Sequence, residues 1–530
     1  MSKIPTLRKK GNGWELIVDG KPFIMLGGEI HNSSSSSLQY MEDHVWDAVT
    51  KLNCNTVIAP VYWELFEPEE GVFDFSLLDG LIAQARKRNM KLVLLWFGTW
   101  KNSFSTYAPE WVKTDVERFF RMETPDGKKT QRISCFCDEA MHADTRAFAA
   151  FMRRIKKIDS GKHTVIMVQV QNEVGVLYAD RDYSAEAEKH FSKNVPKELM
   201  SGMINPKRSL RHEIVCGWKA AGMKKSGTWS QVFGELAEEA FSSWFIARYI
   251  ENMAVSGKAE YPLPLFVNAW LVQSEGQHAG QYPSGGPVSK MIDIWRIAAP
   301  TICLTAPDIY LDNFADICDD YTSEDNPLLI PEARRDETAA SNVFYAVGRR
   351  HALCFAPFGI ESMTTNASVK IAGNTVADAS LNIRNSDNGE MLAQSYSLLQ
   401  SMMPLISDFY GTDNMTGILQ SPGVRKEYIS LGGYDLEIYY ESALEKGTAP
   451  GAGILITLNE GEYFIAGHGF MVTPLSKSGE KNNIVEIVLI EEGHFQKGEW
   501  QLYRRLNGDE GRCILPRTPS VRRLKIFNFQ

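Results

Sequence analysis

The chain has 530 residues, 44% hydrophobic and 23% charged, with a formal net charge of −9. This composition excludes collagen, coiled coil and wholesale disorder, and it leaves room for a large core. The acidic balance, without a long basic run, argues against nucleic acid and anionic membrane surfaces as partners, and no run of 18 apolar residues exists to span a bilayer.

The first 13 residues are short, polar and basic, with no apolar stretch behind them. No secretory signal is visible, which fits a cytoplasmic protein, or a periplasmic one whose signal has been removed. From there one rhythm repeats. Apolar, β-branched runs occur at Phe23–Glu29, Thr56–Val61, Lys91–Trp96, Thr164–Val170, Leu265–Val267, Ile302–Ala306, Leu328–Ile330 and Ala352–Ala356. Each is too continuously apolar for a one-sided sheet and reads as a buried parallel strand. Helical patterns lie between them, at Tyr40–Leu52, Leu77–Arg88 and Asp144–Ile158. Strands alternating with helices predict a (β/α)8 TIM barrel over residues 1–365. A doubly wound sheet would want a glycine-rich phosphate turn after its first strand. Here Glu29-Ile30-His31-Asn32 and a serine run follow instead.

A long polar stretch near 178–228 reads as an insertion after the fourth strand, either a lid, an oligomer contact or a solvated decoration. Beyond residue 366 the rhythm changes. A helix is expected over Gly389–Phe409. Alternating strands follow at Lys426–Leu431, Tyr434–Tyr440, Gly453–Leu458, Glu462–Ala466, Ile484–Glu491, Glu499–Arg505 and Arg522–Phe527. Residues 366–530 therefore predict a helix plus an antiparallel, β-sandwich-like domain. Eight scattered cysteines read as buried thiols rather than a disulfide framework. Cys135 and Cys137 form a lone C-x-C, a poor match to zinc spacing, so no metal site is expected.

In such a barrel, function gathers at the C-terminal ends of the strands. Those ends carry Glu29 and His31, then Trp63 and Glu64, Trp100, Asn172 and Glu173, Trp270, Tyr310 and Glu332. Aromatic rings with carboxylates and amides suit a sugar. Cleaving a glycosidic bond needs two carboxyl groups flanking the anomeric carbon. Glu173 and Glu332 end strands four and seven, which face each other across the mouth. They are the best pair, Glu173 as acid and base and Glu332 as nucleophile. A lone glutamate at a strand end is usually a salt-bridge or helix-dipole partner; two at these positions with Asn172 beside the first favour catalysis. Glu29 and His31 can bind hydroxyls or simply pair. Trp96, Trp100 and Trp270 can stack on sugar or pack in the core, and Trp63 is expected among the substrate-binding residues. Glu67, before Pro68, reads as structural.

These residues resemble a known group. The segments GGEIHNSSS, NTVIAPVYWELFEPEEGVFDFSLLD (residues 55–79) and VQVQNEVG (residues 168–175) are similar to clan A glycoside hydrolases, specifically β-galactosidases of families 35 and 42. The resemblance covers about residues 15–360. It implies a retaining mechanism, with Asn172-Glu173 as the acid/base signature and Glu332 in LLIPEARRD as the nucleophile. It implies no obligatory cofactor, an oligosaccharide substrate, and a C-terminal β-domain like that of bacterial β-galactosidase relatives. Three features depart from the pattern: N-E-V-G stands where family 35 has N-E-Y-G, Ala333-Arg334 follows the strand-seven glutamate in place of an aromatic, and the family-42 cysteine zinc cluster is not apparent. The expected function is a retaining exo-β-glycosidase acting on terminal β-galactosides. The alternatives are another β-glycosidase specificity (glucoside, galacturonide or endo-glycanase) and a non-catalytic carbohydrate-binding barrel. A homo-oligomer is a further expectation.

Overall fold

The computed structural model describes residues 4–205, 210–364, 385–441, 444, 447–477 and 483–529. Three short antiparallel strands open the chain: β1 (Thr6–Lys10), β2 (Gly13–Val18) and β3 (Lys21–Phe23). Then come the eight strands of a closed parallel barrel: β4 (Met25–Glu29), β5 (Thr56–Tyr62), β6 (Lys91–Lys101), β9 (Val165–Asn172), β10 (Leu265–Trp270), β11 (Leu304–Ile309), β12 (Ile330–Ala333) and β13 (Cys354–Pro357). A hairpin of β7 (Arg121–Glu123) and β8 (Lys129–Ile133) branches off between β6 and β9. All eight sequence-predicted strands are barrel strands, and all but the first run one to five residues further at their C-terminal ends than expected.

Alternation along the strands produces two apolar layers. Ile58, Val93, Leu95, Phe97, Ile166, Phe266 and Ala306 share one core, whereas Val57, Ala59, Leu92, Leu94, Val165, Val168 and Val267 pack with the helices in another. The first is the barrel lumen. Leu16 and Val18 of β2 join Met25 and Leu353 in it, so the N-terminal sheet plugs the bottom of the barrel. Sequence does not announce this plug, because strands of three to six residues beside glycine-containing turns carry little periodic signal.

The polar stretch after β9 contains helices Ala185–Phe191, Lys197–Met203 and His212–Ala220. It is docked rather than loose. Phe191 meets Phe241 edge-on with ring centroids 5.1 Å apart, and the Asp182 carboxylate accepts from the Ser134 hydroxyl at 2.6 Å.

The predicted helix over 389–409 is two, Asn385–Ser401 and Met403–Phe409, which break beside Met402 and Pro404. The first seats on the barrel. Its Tyr396 hydroxyl donates to the Gly27 and Phe355 carbonyls at 2.8 and 3.0 Å. Two antiparallel sheets follow. One has six strands in the order Met415–Leu419, Ala452–Asn459, Glu462–His468, Ser520–Phe529, Ile484–Gln496, Glu499–Leu506. The other has four, Lys426–Leu431, Tyr434–Tyr440, Phe470–Leu475 and Cys513–Leu515. Leu436, Ile438 and Val472 from the smaller sheet pack with Leu455, Ile465, Leu524 and Ile526 from the larger, which makes a sandwich. The larger sheet also packs on the barrel helix Ala339–Arg350. There Gly417 lies so close that a Cβ would sit 2.8 Å from Phe344 O and Arg349 N.

Candidate active site

The mouth is built on a polar frame behind the strand ends. Asp144, wholly buried on helix Asp138–Asp159, accepts from Trp96 Nε1, Thr99 N, Thr99 Oγ1 and Gln171 Nε2 at 2.6–2.9 Å. One carboxylate thus ties the tails of β6 and β9 together. Trp100 N then donates to Gln171 Oε1 at 2.8 Å, and Ser103 N to Glu173 O at 3.1 Å. Gln171 and Glu173 both take positive φ, +63° and +44°, a conformation that non-glycine residues adopt only where their surroundings enforce it. The turn aims successive side chains of this tail at the mouth instead of alternating them.

Four carboxyl groups converge there. Glu173, Asp308 and Glu332 each bring an oxygen within 4.8 Å of the others, and all three are buried. Glu29, 1% exposed, feels the charges of Glu332 and Glu173. Tyr310 donates its hydroxyl to Glu332 Oε2 at 2.7 Å, and Asn172 Nδ2 lies 3.5 Å from Glu332 Oε1. Asn268 braces the set, accepting from Glu173 N at 2.9 Å and donating to Asp308 Oδ2 at 2.7 Å.

Burial, followed by the Glu332 charge, lifts the Glu173 carboxyl to about 7. The same causes push Glu29 and Asp308 well above the usual carboxylate range. Lys101 opposes this for all three carboxyls. It ends β6 in register with Asn172, is 6% exposed, and places Nζ 5.2 Å from the Phe97 ring centroid.

His31 and Glu361 form a second edge of the mouth. Glu361 Oε1 accepts from His31 N at 3.1 Å and Ser34 Oγ at 2.6 Å, and His31 Nε2 lies 2.8 Å from Ser362 Oγ. Burial lowers the His31 pKa. Gly359 (φ +64°) lets the chain pass here, where a Cβ would fall 2.1 Å from Arg335 Nη1. Trp270 is half-buried at the end of β10, in register with Asp308.

Two of the residues expected to bind substrate, Trp63 and Trp100, are instead buried behind the mouth. Trp63 is fully buried in the outer layer, donating to Glu67 Oε2 at 2.7 Å and meeting Trp111 edge-on. Trp100 is 1% exposed, donates to Ile133 O, and packs 4.5 Å from Tyr249. Both occupy outer-layer positions of the chain, so neither ring is free for a ligand. The Glu64 carboxylate is taken by Lys113 Nζ at 2.9 Å. Glu67 also accepts from Gly71 N at 2.8 Å, a structural use. Lys101 is the residue most easily missed from sequence, since a lysine at a strand end reads as a solvated charge. Asp308, Asn268 and Glu361 end predicted strands and carry that signal.

Among the described residues, the one set of side chains close enough to hold a metal ion is Glu173, Asp308 and Glu332, the same carboxyls. All eight cysteines are free thiols, Cys135 and Cys137 included.

A closed (β/α)8 barrel with Asn-Glu ending its fourth strand, Glu ending its seventh and their carboxyls converging presents the pair of carboxyl groups that cleavage of a glycosidic bond needs. Residues 39–205 match the glycoside hydrolase family 42 model, described as beta-galactosidase, and residues 392–515 match a domain of unknown function, DUF5597. The chain is 27% identical over 179 residues to a beta-galactosidase of Xanthomonas manihotis, covering 33% of this chain and 27% of that one. It is 25% identical over 175 residues to beta-galactosidase 11 of Arabidopsis thaliana, covering 31% and 19%. The match thus spans about a quarter of these relatives' length or less. In fold, the chain is similar to the crystal structure of a beta-galactosidase from Bacillus circulans sp. alkalophilus, with a TM-score of 0.51, 10% identity, and 94% and 99% of the two chains covered.

Proposed function

We propose that this protein is a retaining exo-β-glycosidase that hydrolyses terminal β-galactosides of oligosaccharides. The observation that carries the proposal is the approach of Glu173 and Glu332, with oxygens within 4.8 Å. Double displacement uses carboxyls about 5–5.5 Å apart, whereas inversion needs about 6.5–9.5 Å to admit a water. The Glu332 carboxylate attacks the anomeric carbon while Glu173 gives its proton to the departing glycosidic oxygen. A glycosyl ester forms on Glu332. Glu173, now ionised, takes a proton from water as that water attacks the same carbon, and the Glu332 carboxylate is released. A carboxyl at about 7 suits both halves, since it is protonated for the first and readily ionised for the second. Tyr310 holds Glu332 in line, and Asn172 lies where a sugar 2-hydroxyl meets the nucleophile. Glu29, His31, Glu361 and Trp270 supply the polar and aromatic wall for the remaining hydroxyls. Galactose is taken from the named activity of the relatives.

The test is turnover of a panel of nitrophenyl β-glycosides by wild type, Glu173→Gln and Glu332→Gln, with the first-formed anomer read by proton NMR. β-Galactose released first, and lost in both variants, supports the proposal. α-Galactose released first overturns retention, and turnover of another glycoside alone overturns the sugar.

A further inference from the structure

Arg132 ends the β7–β8 hairpin beside the mouth. It is 2% exposed, yet Nε and Nη2 have no hydrogen-bond partner. Among the described residues no carboxylate lies within ion-pair distance of it. Its guanidinium is held between two rings, 4.4 Å from the Phe104 centroid and 5.2 Å from the Tyr178 centroid. Of the other deeply buried arginines, Arg181 and Arg522 each hold a glutamate, Glu188 at 2.7 Å and Glu492 at 2.9 Å, and Arg335 donates to the Phe358 and Gly359 carbonyls at 3.3 and 3.4 Å. A buried cation without a counter-charge is costly, and two aromatic faces recover only part of that cost. Burial accordingly lowers the Arg132 pKa.

The position is specific. Phe104 bridges Lys101 and follows Ser103, whose N–H and hydroxyl both reach Glu173 O. Tyr178 lies five residues beyond Glu173, takes φ +67°, and is 77% exposed. Arg132 therefore sits on the wall from which Glu173 reaches the leaving group. We propose that Arg132, between Phe104 and Tyr178, forms a leaving-group subsite for an acidic sugar, whose uronate carboxylate supplies the missing counter-charge while its ring stacks on Tyr178. A planar fork of donors fits a carboxylate in two-point fashion, which a neutral hydroxymethyl cannot match. The inference rests on the glycosidase reading above and names the substrate class for it.

The experiment compares a β-galactosyl disaccharide ending in glucuronic acid with its methyl ester, in which the charge is removed at the cost of one added methyl group. Neutral nitrophenyl β-galactoside is assayed alongside. Wild type is expected to favour the acid over the ester by about 10- to 100-fold in kcat/KM, the range for a charged hydrogen-bonded contact. In Arg132→Gln that ratio falls to near one, and Arg132→Lys restores part of it. A wild-type ratio near one, with the nitrophenyl galactoside still cleaved, overturns the subsite alone, as does a ratio that survives in Arg132→Gln. No cleavage of any galactoside overturns the β-galactosidase reading and, with it, the subsite.

Discussion

Glu173 has to lose a proton and regain it in every cycle, and its surroundings set when it does. With its carboxyl at about 7, kcat/KM is expected to fall as pH rises through 7, because the acid form is the one that protonates the leaving group. Lys101 lowers that carboxyl, so Lys101→Met should move the alkaline limb to higher pH. A pH–rate profile checks both, and a limb that stays put would remove Lys101 from the electrostatics of the site. Replacing either Glu173 or Glu332 by Gln should cost about 100- to 10,000-fold in kcat. Glu29 permits a stability prediction. Its folded-state pKa lies well above the unfolded one, so the unfolded chain loses this proton first as pH rises. Wild type therefore loses stability above the ordinary glutamate pKa, a loss Glu29→Gln escapes. Thermal melts should show the variant gaining on wild type between pH 5 and 8, while its activity falls. Sequence revealed the residues standing at strand ends, Glu173 and Glu332 among them. It could not tell Trp270, at the rim, from Trp63 and Trp100, behind the strands. That difference depends on how each tail turns after the regular strand stops, and positive φ at Gln171 and Glu173 is set by tertiary contacts.

At the scale of elements, Asp144 is the knot between β6 and β9. Asp144→Ala removes the acceptor for four donors, all buried. The expected cost is about 3–5 kcal/mol of stability, with kcat reduced because Lys101 and Glu173 ride on the freed tails. Urea unfolding with parallel kinetics measures both. A loss of stability without any loss of kcat would separate the frame from the site. The barrel strands were legible because burial on both faces makes them continuously apolar. The β1–β3 plug and the strands Met415–Leu419, Phe470–Leu475 and Cys513–Leu515 were not, being short and interrupted by glycine, proline or charge. Boundaries moved for a related reason: apolar patterning marks the buried middle of a strand, while hydrogen bonding carries it on to Asn172 or Trp270.

Across the whole molecule, the sandwich and the barrel share a packed seam at helix Ala339–Arg350. A Cβ on Gly417 would lie 2.8 Å from Phe344 O and Arg349 N, and one on Gly348 would lie 2.7 Å from Ile454 Cγ1, so neither position has room for a side chain. Gly417→Val should destabilise the protein by about 1–3 kcal/mol or more through overpacking, with the larger part of the effect at the seam, far from the mouth. Calorimetry would show this as a lowered Tm with KM unchanged. Sequence gave the order of the two units from their change in rhythm, but placed the helix Asn385–Ser401 with the second. Its Tyr396 bonds, made to carbonyls of β4 and β13 at sequence separations of 369 and 41, tie it to the barrel, contacts that no local pattern encodes.

Retention by double displacement requires Glu332 to form a covalent bond to the sugar. A 2-deoxy-2-fluoro aryl β-galactoside slows the second displacement more than the first and lets the ester accumulate. After digestion, mass spectrometry should find one fluorosugar per chain, on the peptide containing Leu328–Arg334 and on Glu332 within it. A label on Glu29, Asp308 or Glu361 instead, or time-dependent turnover with no label at all, would contradict the account.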